Sequence, residues 1–230
     1  MSHIPVFSLE PSVICCDLCD LGHEVQKWEN AGAKALHIDV LDGAFAPSLP
    51  VGLDTFIQLS KRTKLPFDVH IMSLQNQWFI EQCLRMNPAR ICFQLEGEPD
   101  PFARIEQIRT AGVIPGLAMA PSTPLEDLMP YIDLIDFLLL MRIKPGYAGH
   151  ADESVQFDLD KRIQDARVML DSTKSGRDLV IDGRVTFEDV SRLRGLGATV
   201  FVGGSRSLFS SEDYSTNYAK MLRHYVEGQR

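Results

Sequence analysis

Short apolar runs alternate with amphipathic stretches along the chain, and this alternation limits the possible folds more than any other feature. Eight apolar runs have the length and composition of strands. They cover Ser12–Cys16, Ala35–Val40, Phe67–Met72, Arg90–Leu95, Ile114–Met119, Ile135–Met141, Leu179–Asp182 and Thr199–Gly203. The amphipathic stretches predict eight helices, at Leu21–Ala31, Leu53–Lys61, Asn76–Met86, Phe102–Ala111, Leu125–Met129, Val155–Asp171, Phe187–Leu196 and Tyr214–Val226. Eight such βα units in 230 residues predict an α/β fold, a closed (β/α)8 or TIM barrel.

The length and composition of the chain narrow its class further. No linker or low-complexity segment divides it, so we predict one barrel domain over residues 1–230. A formal net charge of −8 argues against nucleic-acid or anionic-membrane partners. There is no apolar run of about 18 residues, which a membrane span requires. We see no signal peptide, and the five cysteines do not form the even set of a disulfide framework. These features predict a cytoplasmic protein.

Polar side chains interrupt several of the predicted strands. His37 and Asp39 stand two residues apart and therefore point to the same face, as do Asp68 and His70 in the next strand. Asp182 ends the seventh strand. Barrel enzymes carry their active sites at the carboxyl ends of the strands. We therefore expect these side chains to converge at that end of the barrel.

Four of these residues, His37, Asp39, His70 and Asp182, form a candidate metal site. Buried carboxylates are costly unless a cation compensates them. Two nitrogen and two oxygen ligands suit Zn²⁺, Fe²⁺, Mn²⁺ or Co²⁺. Each histidine taken alone would instead be read as a hydrogen-bonded core residue, and only the joint placement of all four favours a metal.

Three glycine-containing loops follow the last three predicted strands. They are "KPGYAGH" (144–150), "DGR" (182–184) and "GGSRS" (203–207). Glycine lets backbone N–H groups approach an anion closely, and barrels of this kind bind phosphate on the loops after strands seven and eight. The alternative is that the glycines serve only the βα turns. Basic residues lie in or just before these loops, namely Arg142, Lys144, Arg184 and Arg206.

Seven segments carry a resemblance to a known family. They are "PSVICCDL" (11–18), "LHIDVLDGAFAPSL" (36–49), "DVHIM" (68–72), "PSTPL" (121–125), "LMRIKPGYAGH" (140–150), "VIDG" (180–183) and "VFVGGS" (200–205). Over nearly its whole length the chain resembles the ribulose-phosphate 3-epimerase family. The resemblance implies a barrel of the ribulose-phosphate-binding type and a 3-epimerase of a phosphorylated ketose, with conversion of D-ribulose 5-phosphate to D-xylulose 5-phosphate as the expected reaction. It also implies one divalent metal per chain, with Zn²⁺ or Fe²⁺ preferred to Mn²⁺ or Co²⁺.

The resemblance also implies roles for individual residues. Inversion at C3 of a ketose needs one base on each face, and Asp39 and Asp182 are the expected pair. Ser12 and His70 would contact the sugar, and Met72 and Met141 are similar to the methionines that cover the reacting carbons in the family. The other expected substrate-binding residues are Gly146, Tyr147, Ala148, Gly149, Gly183, Gly204 and Ser205, together with Arg184, which departs from the family pattern. We also expect a homo-oligomer, either a dimer or a hexamer.

Departures from the family pattern keep other functions open. Gln94-Leu-Glu96 replaces the usual H-x-E, and Arg184 replaces the second glycine of D-G-G. Cys15 and Ala148 are more similar to the allulose-6-phosphate 3-epimerase branch, so a hexulose 6-phosphate is the alternative substrate. A non-catalytic sugar-phosphate-binding barrel is a second alternative. A barrel decarboxylase or aldolase would need a lysine in the third strand, and Asp68-Val69-His70 contains none.

Overall fold

The computed structural model describes residues 7–146, 158–211 and 213–228, and these form the predicted barrel. The strands are β1 (Leu9–Pro11), β2 (Leu36–Leu41), β3 (Phe67–Met72), β4 (Arg90–Gln94), β5 (Ile114–Met119), β6 (Phe137–Met141), β7 (Asp178–Asp182) and β8 (Val200–Gly203). All pair in parallel, in the order β1-β8-β7-β6-β5-β4-β3-β2. A parallel bridge between Ser12 and His37 joins the two ends of this sheet. The predicted fold class is therefore confirmed.

Seven α-helices are present in the described residues, on the outside of the strands. They are α1 (Leu21–Ala31), α2 (Leu53–Leu59), α3 (Asn76–Leu84), α4 (Pro101–Thr110), α5 (Leu159–Asp171), α6 (Phe187–Gly195) and α7 (Tyr214–Glu227). A 3-10 helix at Leu125–Tyr131 takes the place of the predicted fifth helix. Pro130 lies inside it, and a proline there has no N–H for an α-helical bond.

Side-chain caps define several helix starts. The Asp158 side chain accepts a bond from the backbone of Lys161, and α5 begins at Leu159; the predicted start, Val155, lies outside the described residues. At α6, Thr186 and Asp189 form a capping box. Such caps satisfy backbone N–H groups that have no partner within the helix.

The first predicted strand is wrong. We expected Ser12–Cys16, but the strand is Leu9–Pro11, and Val13–Cys15 is a short 3-10 helix. Leu9-Glu10-Pro11 does not resemble a buried strand, because a buried glutamate needs a partner and proline lacks a donor. The buried Glu10 has its partner in three dimensions, since Arg90 pairs with it. The ladder resumes after Pro11, where the Ser12 N–H donates to Gly203 O at 3.1 Å.

The apolar side chains of each strand alternate between two packed regions. Those that point outward, such as Ile38 and Val69, pack against the helices in the larger core. The barrel interior is filled from β4 to β8 by Cys92, Ala118, Phe137, Leu139, Met141, Val180, Val200 and Val202. Gly116 is required in this interior because a Cβ there would lie 2.5 Å from the Phe137 ring. The strands β2 and β3 contribute polar residues instead, which leaves this side of the interior to the candidate site.

Among the described residues, no helix is long and apolar enough to cross a membrane. The assignment of the whole chain to one domain stays a prediction.

Candidate active site

Four side chains from three strands converge at the carboxyl end of the barrel. His37 Nε2 lies 3.3 Å from Asp39 Oδ1, and His70 Nδ1 lies 3.4 Å from the same oxygen. Asp182, at the end of β7, places Oδ2 4.0 Å from His70 Nδ1. The β2–β3 register pairs Asp39 with His70 directly, which is why these two side chains meet. The structure thus brings together all four residues that the sequence predicts as metal ligands.

The donor set of this cluster fits a divalent metal ion. One ligand atom from each residue lies within 4.8 Å of all the others. His37 Nε2 and His70 Nδ1 are buried and have no hydrogen-bond partner, so each has a nitrogen available for another ligand. A tetrahedral ion with bonds of about 2.0–2.1 Å would separate its ligand atoms by about 3.4 Å, close to the separations found here.

The two carboxylates of the cluster have opposite electrostatic environments. Burial opposes ionisation of Asp39, but the imidazoles of His37 and His70 outweigh it and hold the pKa of Asp39 well below its usual range. Burial, together with the nearby charge of Asp39, raises the pKa of Asp182. Two carboxyl groups with pKa values shifted apart can act as base and acid at one pH. Ser12 fixes the first of them, since its Oγ donates to Asp39 Oδ2 at 2.8 Å.

A buried ionic cluster lies deeper in the barrel, behind His37. Arg90 Nη2 contacts Glu10 Oε1 at 2.8 Å and Asp68 Oδ2 at 2.9 Å, and its Nη1 contacts Asp178 Oδ2 at 3.2 Å. Asp68 Oδ2 also lies 3.2 Å from His37 Nδ1. Burial raises the pKa of Glu10 to about 7 despite the opposing charge of Arg90. Glu10, His37 and Asp68 also have metal-like spacing, but the guanidinium of Arg90 already supplies the cation there.

The sequence alone does not predict this ionic cluster. Asp68 is expected with the residues at the mouth of the barrel, but it is the second residue of β3 and pairs with Arg90. The cluster could have been predicted from the alternation of side chains along β4, because Arg90 points to the same face as Cys92 and Gln94. An arginine on that face predicts a buried partner.

His37, Asp39, His70 and Asp182 are called the metal-type cluster below. A cavity above this cluster contains most of the predicted substrate-binding residues. Its lining includes Ser12, Met72, Met141, Gly146, Gly183, Arg184, Gly204 and Ser205. Tyr147, Ala148 and Gly149 lie outside the described residues. Arg184 adopts a left-handed conformation, with φ of 52°, directly after Gly183. The loop after β7 therefore passes the cavity as a left-handed turn.

The other basic loop residues have different environments. Arg142 donates to Asp189 Oδ2 at 2.7 Å and to the carbonyl oxygen of Arg184 at 3.1 Å, so it links the end of β6 to the loop after β7 and to α6. Arg206 is exposed and does not line the cavity. Among the described residues, Arg184 is the arginine at the cavity wall.

The segment Gln94-Leu-Glu96 differs from the family pattern H-x-E. Its two polar residues, Gln94 and Glu96, contact different parts of the barrel. The Gln94 amide nitrogen lies 3.0 Å from His70 Nε2. Glu96 instead accepts from the Ala120 N–H at 2.7 Å and from the Thr123 hydroxyl, so it fixes the loop after β5. Gln94 therefore contacts the metal-type cluster, and sequence analysis had assigned it no role.

The fold and the site together define a (β/α)8-barrel protein with a buried cluster of histidine and aspartate at the carboxyl ends of its strands. Residues 8–209 match the model of the ribulose-phosphate 3 epimerase family, and the chain belongs to this family. It is an isomerase, within the epimerases that act on carbohydrates.

Individual relatives match along most of their length. The ribulose-phosphate 3-epimerase of Rhodobacter capsulatus is 29% identical over 216 residues, which are 92% of this chain and 92% of the relative. The protein of the same name from Bacillus subtilis is 30% identical over 202 residues, which are 87% of this chain and 91% of the relative. A solved structure of KGPDC from Streptococcus mutans in complex with D-R5P has a TM-score of 0.70 at 10% identity, covering 96% of this chain and 98% of its own. That likeness shows the barrel fold.

Proposed function

We propose that this chain inverts C3 of a phosphorylated ketose, converting D-ribulose 5-phosphate to D-xylulose 5-phosphate by two-base proton transfer. The observation that carries the proposal is the pair of carboxylates, Asp39 from β2 and Asp182 from β7, that line one cavity. The names of the relatives supply the substrate class. His37, Asp39, His70 and Asp182 would hold one divalent metal per chain, Zn²⁺ or Fe²⁺ before Mn²⁺ or Co²⁺.

The reaction requires a proton to leave one face of C3 and another to arrive on the opposite face. The C3–H bond is adjacent to the C2 carbonyl, so loss of the C3 proton gives a planar enediolate. A divalent ion, when bound, would stabilise the negative charge of this enediolate. Strands β2 and β7 stand three positions apart around the ring, which lets Asp39 and Asp182 approach the substrate from different sides. Ionised Asp39 takes the C3 proton, and protonated Asp182 delivers its proton to the other face.

Apolar and hydroxyl side chains complete the reacting end of the cavity. Met72 and Met141 are buried in its wall, where they would exclude water from the enediolate. The Ser12 hydroxyl holds one oxygen of Asp39 and therefore orients the proton acceptor. His70 Nδ1 lies 3.4 Å from Asp39 Oδ1 and 4.0 Å from Asp182 Oδ2, and its imidazole would contact the sugar from there.

The loops after β6, β7 and β8 would bind the phosphate. Gly146, Gly183, Gly204 and Ser205 line the same cavity as the carboxylates and offer close backbone approach. Arg184 adds a guanidinium that can form charge-assisted bonds to phosphate oxygens. Tyr147, Ala148 and Gly149 would contribute from the part of the loop outside the described residues.

A hexulose 6-phosphate is the second candidate substrate. Cys15 lines the cavity, and its sulfur lies 3.4 Å from the position of a Cβ at Gly204. This cysteine is one of the two residues that resemble the allulose-6-phosphate branch. The homo-oligomer, dimer or hexamer, stays a prediction.

Incubation in D₂O with a panel of ketose phosphates tests the reaction. Nuclear magnetic resonance should show deuterium at C3 of ribulose 5-phosphate and the C3-inverted product, each dependent on bound metal. The unphosphorylated ketose serves as the control and should exchange far more slowly. If protein with one metal per chain exchanges C3 of no ketose phosphate, the proposed function is wrong.

A further inference from the structure

Gln94 is fully buried beside a candidate metal ligand and has one unused polar atom. Its amide nitrogen lies 3.0 Å from His70 Nε2, and its Oε1 has no hydrogen-bond partner. The other ring nitrogen, His70 Nδ1, is also buried without a hydrogen bond, 3.4 Å from Asp39 Oδ1. The imidazole therefore stands between an amide on one side and the carboxylates on the other.

The position of the amide determines which ring nitrogen of His70 carries the proton. A neutral imidazole has one donor and one acceptor nitrogen, and an amide group offers a donor at one atom and an acceptor at the other. When the Gln94 NH₂ faces Nε2, that nitrogen must accept, so Nδ1 carries the proton. This N–H then points toward the carboxylate of Asp39 and offers no lone pair to a metal.

A metal at Nδ1 requires the opposite arrangement. Nδ1 must then provide the lone pair, Nε2 carries the proton, and this N–H needs an acceptor. Rotation of the Gln94 amide by half a turn about its terminal bond places Oε1 where the NH₂ now lies. The same side chain then accepts from Nε2–H, as the outer partners of metal-bound histidines generally do.

His37 has no comparable choice. Its Nδ1 lies 3.2 Å from Asp68 Oδ2, and an ionised carboxylate only accepts. The proton therefore stays at Nδ1 of His37, and Nε2 faces the cluster. The two imidazoles thus differ, because one has an acceptor-only partner and the other has an amide.

We propose that Gln94 is a positioning residue that selects the tautomer of His70 by rotation of its amide, donating to Nε2 without metal and accepting from it when a metal is bound. This inference rests on the proposed metal site. Gln94 itself contacts neither the metal nor the reacting carbons. Its effect is on the availability of Nδ1 and hence on metal affinity.

Two substitutions of similar size separate this role from simple packing. Gln94→Met retains the length of the side chain, but its thioether accepts only weakly, so Nε2–H loses its partner. We expect Zn²⁺ affinity to fall about 10–100-fold, the usual loss when such a partner is removed. Gln94→Glu can only accept, which favours the metal-binding tautomer, so its affinity should equal or exceed that of the natural protein.

Competition with a chromophoric chelator would give the Zn²⁺ dissociation constants of the three proteins at one fixed pH. Long-range ¹H–¹⁵N spectra of ¹⁵N-histidine protein would report the tautomer, with His70 assigned by its loss in His70→Ala. The natural protein should carry the His70 proton at Nδ1 without zinc and at Nε2 with zinc. Unfolding temperatures of the metal-free variants control for packing damage.

The outcomes distinguish this inference from the proposed function. Unchanged affinity in Gln94→Met, an equal loss in Gln94→Glu, or an Nε2–H tautomer in the metal-free natural protein would each overturn the inference and leave the metal site standing. A natural protein that binds no Zn²⁺, Fe²⁺, Mn²⁺ or Co²⁺ would overturn the proposed metal dependence, and the inference with it.

Discussion

Single residues at the mouth of the barrel receive their chemical character from their neighbours. Asp39 and Asp182 are the same amino acid, yet imidazoles lower the pKa of one, and burial raises the pKa of the other. Neither property can be assigned to an aspartate from its type. The environments of the two residues shift their pKa values in opposite directions.

Substitution of either carboxylate should stop epimerisation. Asp39→Asn and Asp182→Asn should each reduce turnover by at least about 100-fold, the lower end of the contribution of a general base. A variant that keeps one base can still exchange deuterium at C3 from one face without inversion. Nuclear magnetic resonance of the substrate in D₂O measures both, and metal content must be determined for each variant. Near-natural turnover in both metal-containing variants would contradict the two-base mechanism.

Arg184 allows a test of phosphate binding that does not touch the carboxylates. Arg184→Gly removes the guanidinium but suits the left-handed backbone at φ of 52°, since glycine adopts this conformation without strain. We expect KM for the phosphorylated ketose to rise several-fold, with the slow activity on the unphosphorylated analogue unchanged. Steady-state kinetics on both substrates provide the measurement. Arg206→Gly, on an exposed neighbouring loop position, is the matched control and should leave KM unaltered. Equal effects on both substrates would place Arg184 outside the phosphate site.

At the scale of the elements, one face of β4 connects the deep interior with the mouth of the barrel. Arg90 lies at its start and pairs with Glu10, Asp68 and Asp178, whereas Gln94 lies at its end against His70. The two residues thus support the histidines by different contacts, Arg90 through Asp68 and Gln94 directly. The sequence of β4 resembles that of an ordinary buried strand, but two of its residues, Arg90 and Gln94, support the candidate site.

Removal of Arg90 should be strongly destabilising. Arg90→Met would leave Glu10 and Asp68 buried without their cation, and breaking a buried ion pair in this way costs about 3–5 kcal/mol. The free energy of unfolding, measured by chemical denaturation, should fall by that amount. Arg85→Met, at an exposed position after α3, is the control and should change it by less than about 0.5 kcal/mol. A loss below about 1 kcal/mol for Arg90→Met would mean that the cluster does not need its cation.

At the scale of the whole molecule, the metal would connect the two sides of the ring. His37 and Asp39 belong to β2, His70 to β3 and Asp182 to β7, so a bound ion would link strands far apart in sequence. Such an ion binds the folded chain and not the unfolded one. Its removal should therefore affect the stability of the barrel as well as turnover.

Chelation should lower the unfolding temperature. An ion present at about 100 times its dissociation constant stabilises the folded state by about 2.7 kcal/mol, which corresponds to about 5–10 °C in a domain of this size. Calorimetry before and after chelation, and after Zn²⁺ is restored, measures the shift. His70→Ala lacks one ligand and should show little shift. A shift of the same size in His70→Ala would mean that the stabilising ion binds elsewhere.

The sequence by itself determined the barrel and the four residues of the metal-type cluster. Periodicity is a local property, so eight alternating runs are enough to define parallel βα units. The spacing of His37 and Asp39 likewise places them on one face of one strand, and the barrel then directs His70 and Asp182 to the same end. These inferences needed only distances of a few residues and one general property of the fold.

Only the tertiary structure decided the remaining partners, because they depend on contacts between distant segments. Glu10 and Arg90 are 80 positions apart in the chain, and each looks out of place in a strand until the other is beside it. The partners of Gln94 and Arg142 were decided in the same way, since His70 and Asp189 lie on other strands or helices. The energy of a buried polar group depends on which atoms surround it. That environment exists only once the barrel has closed.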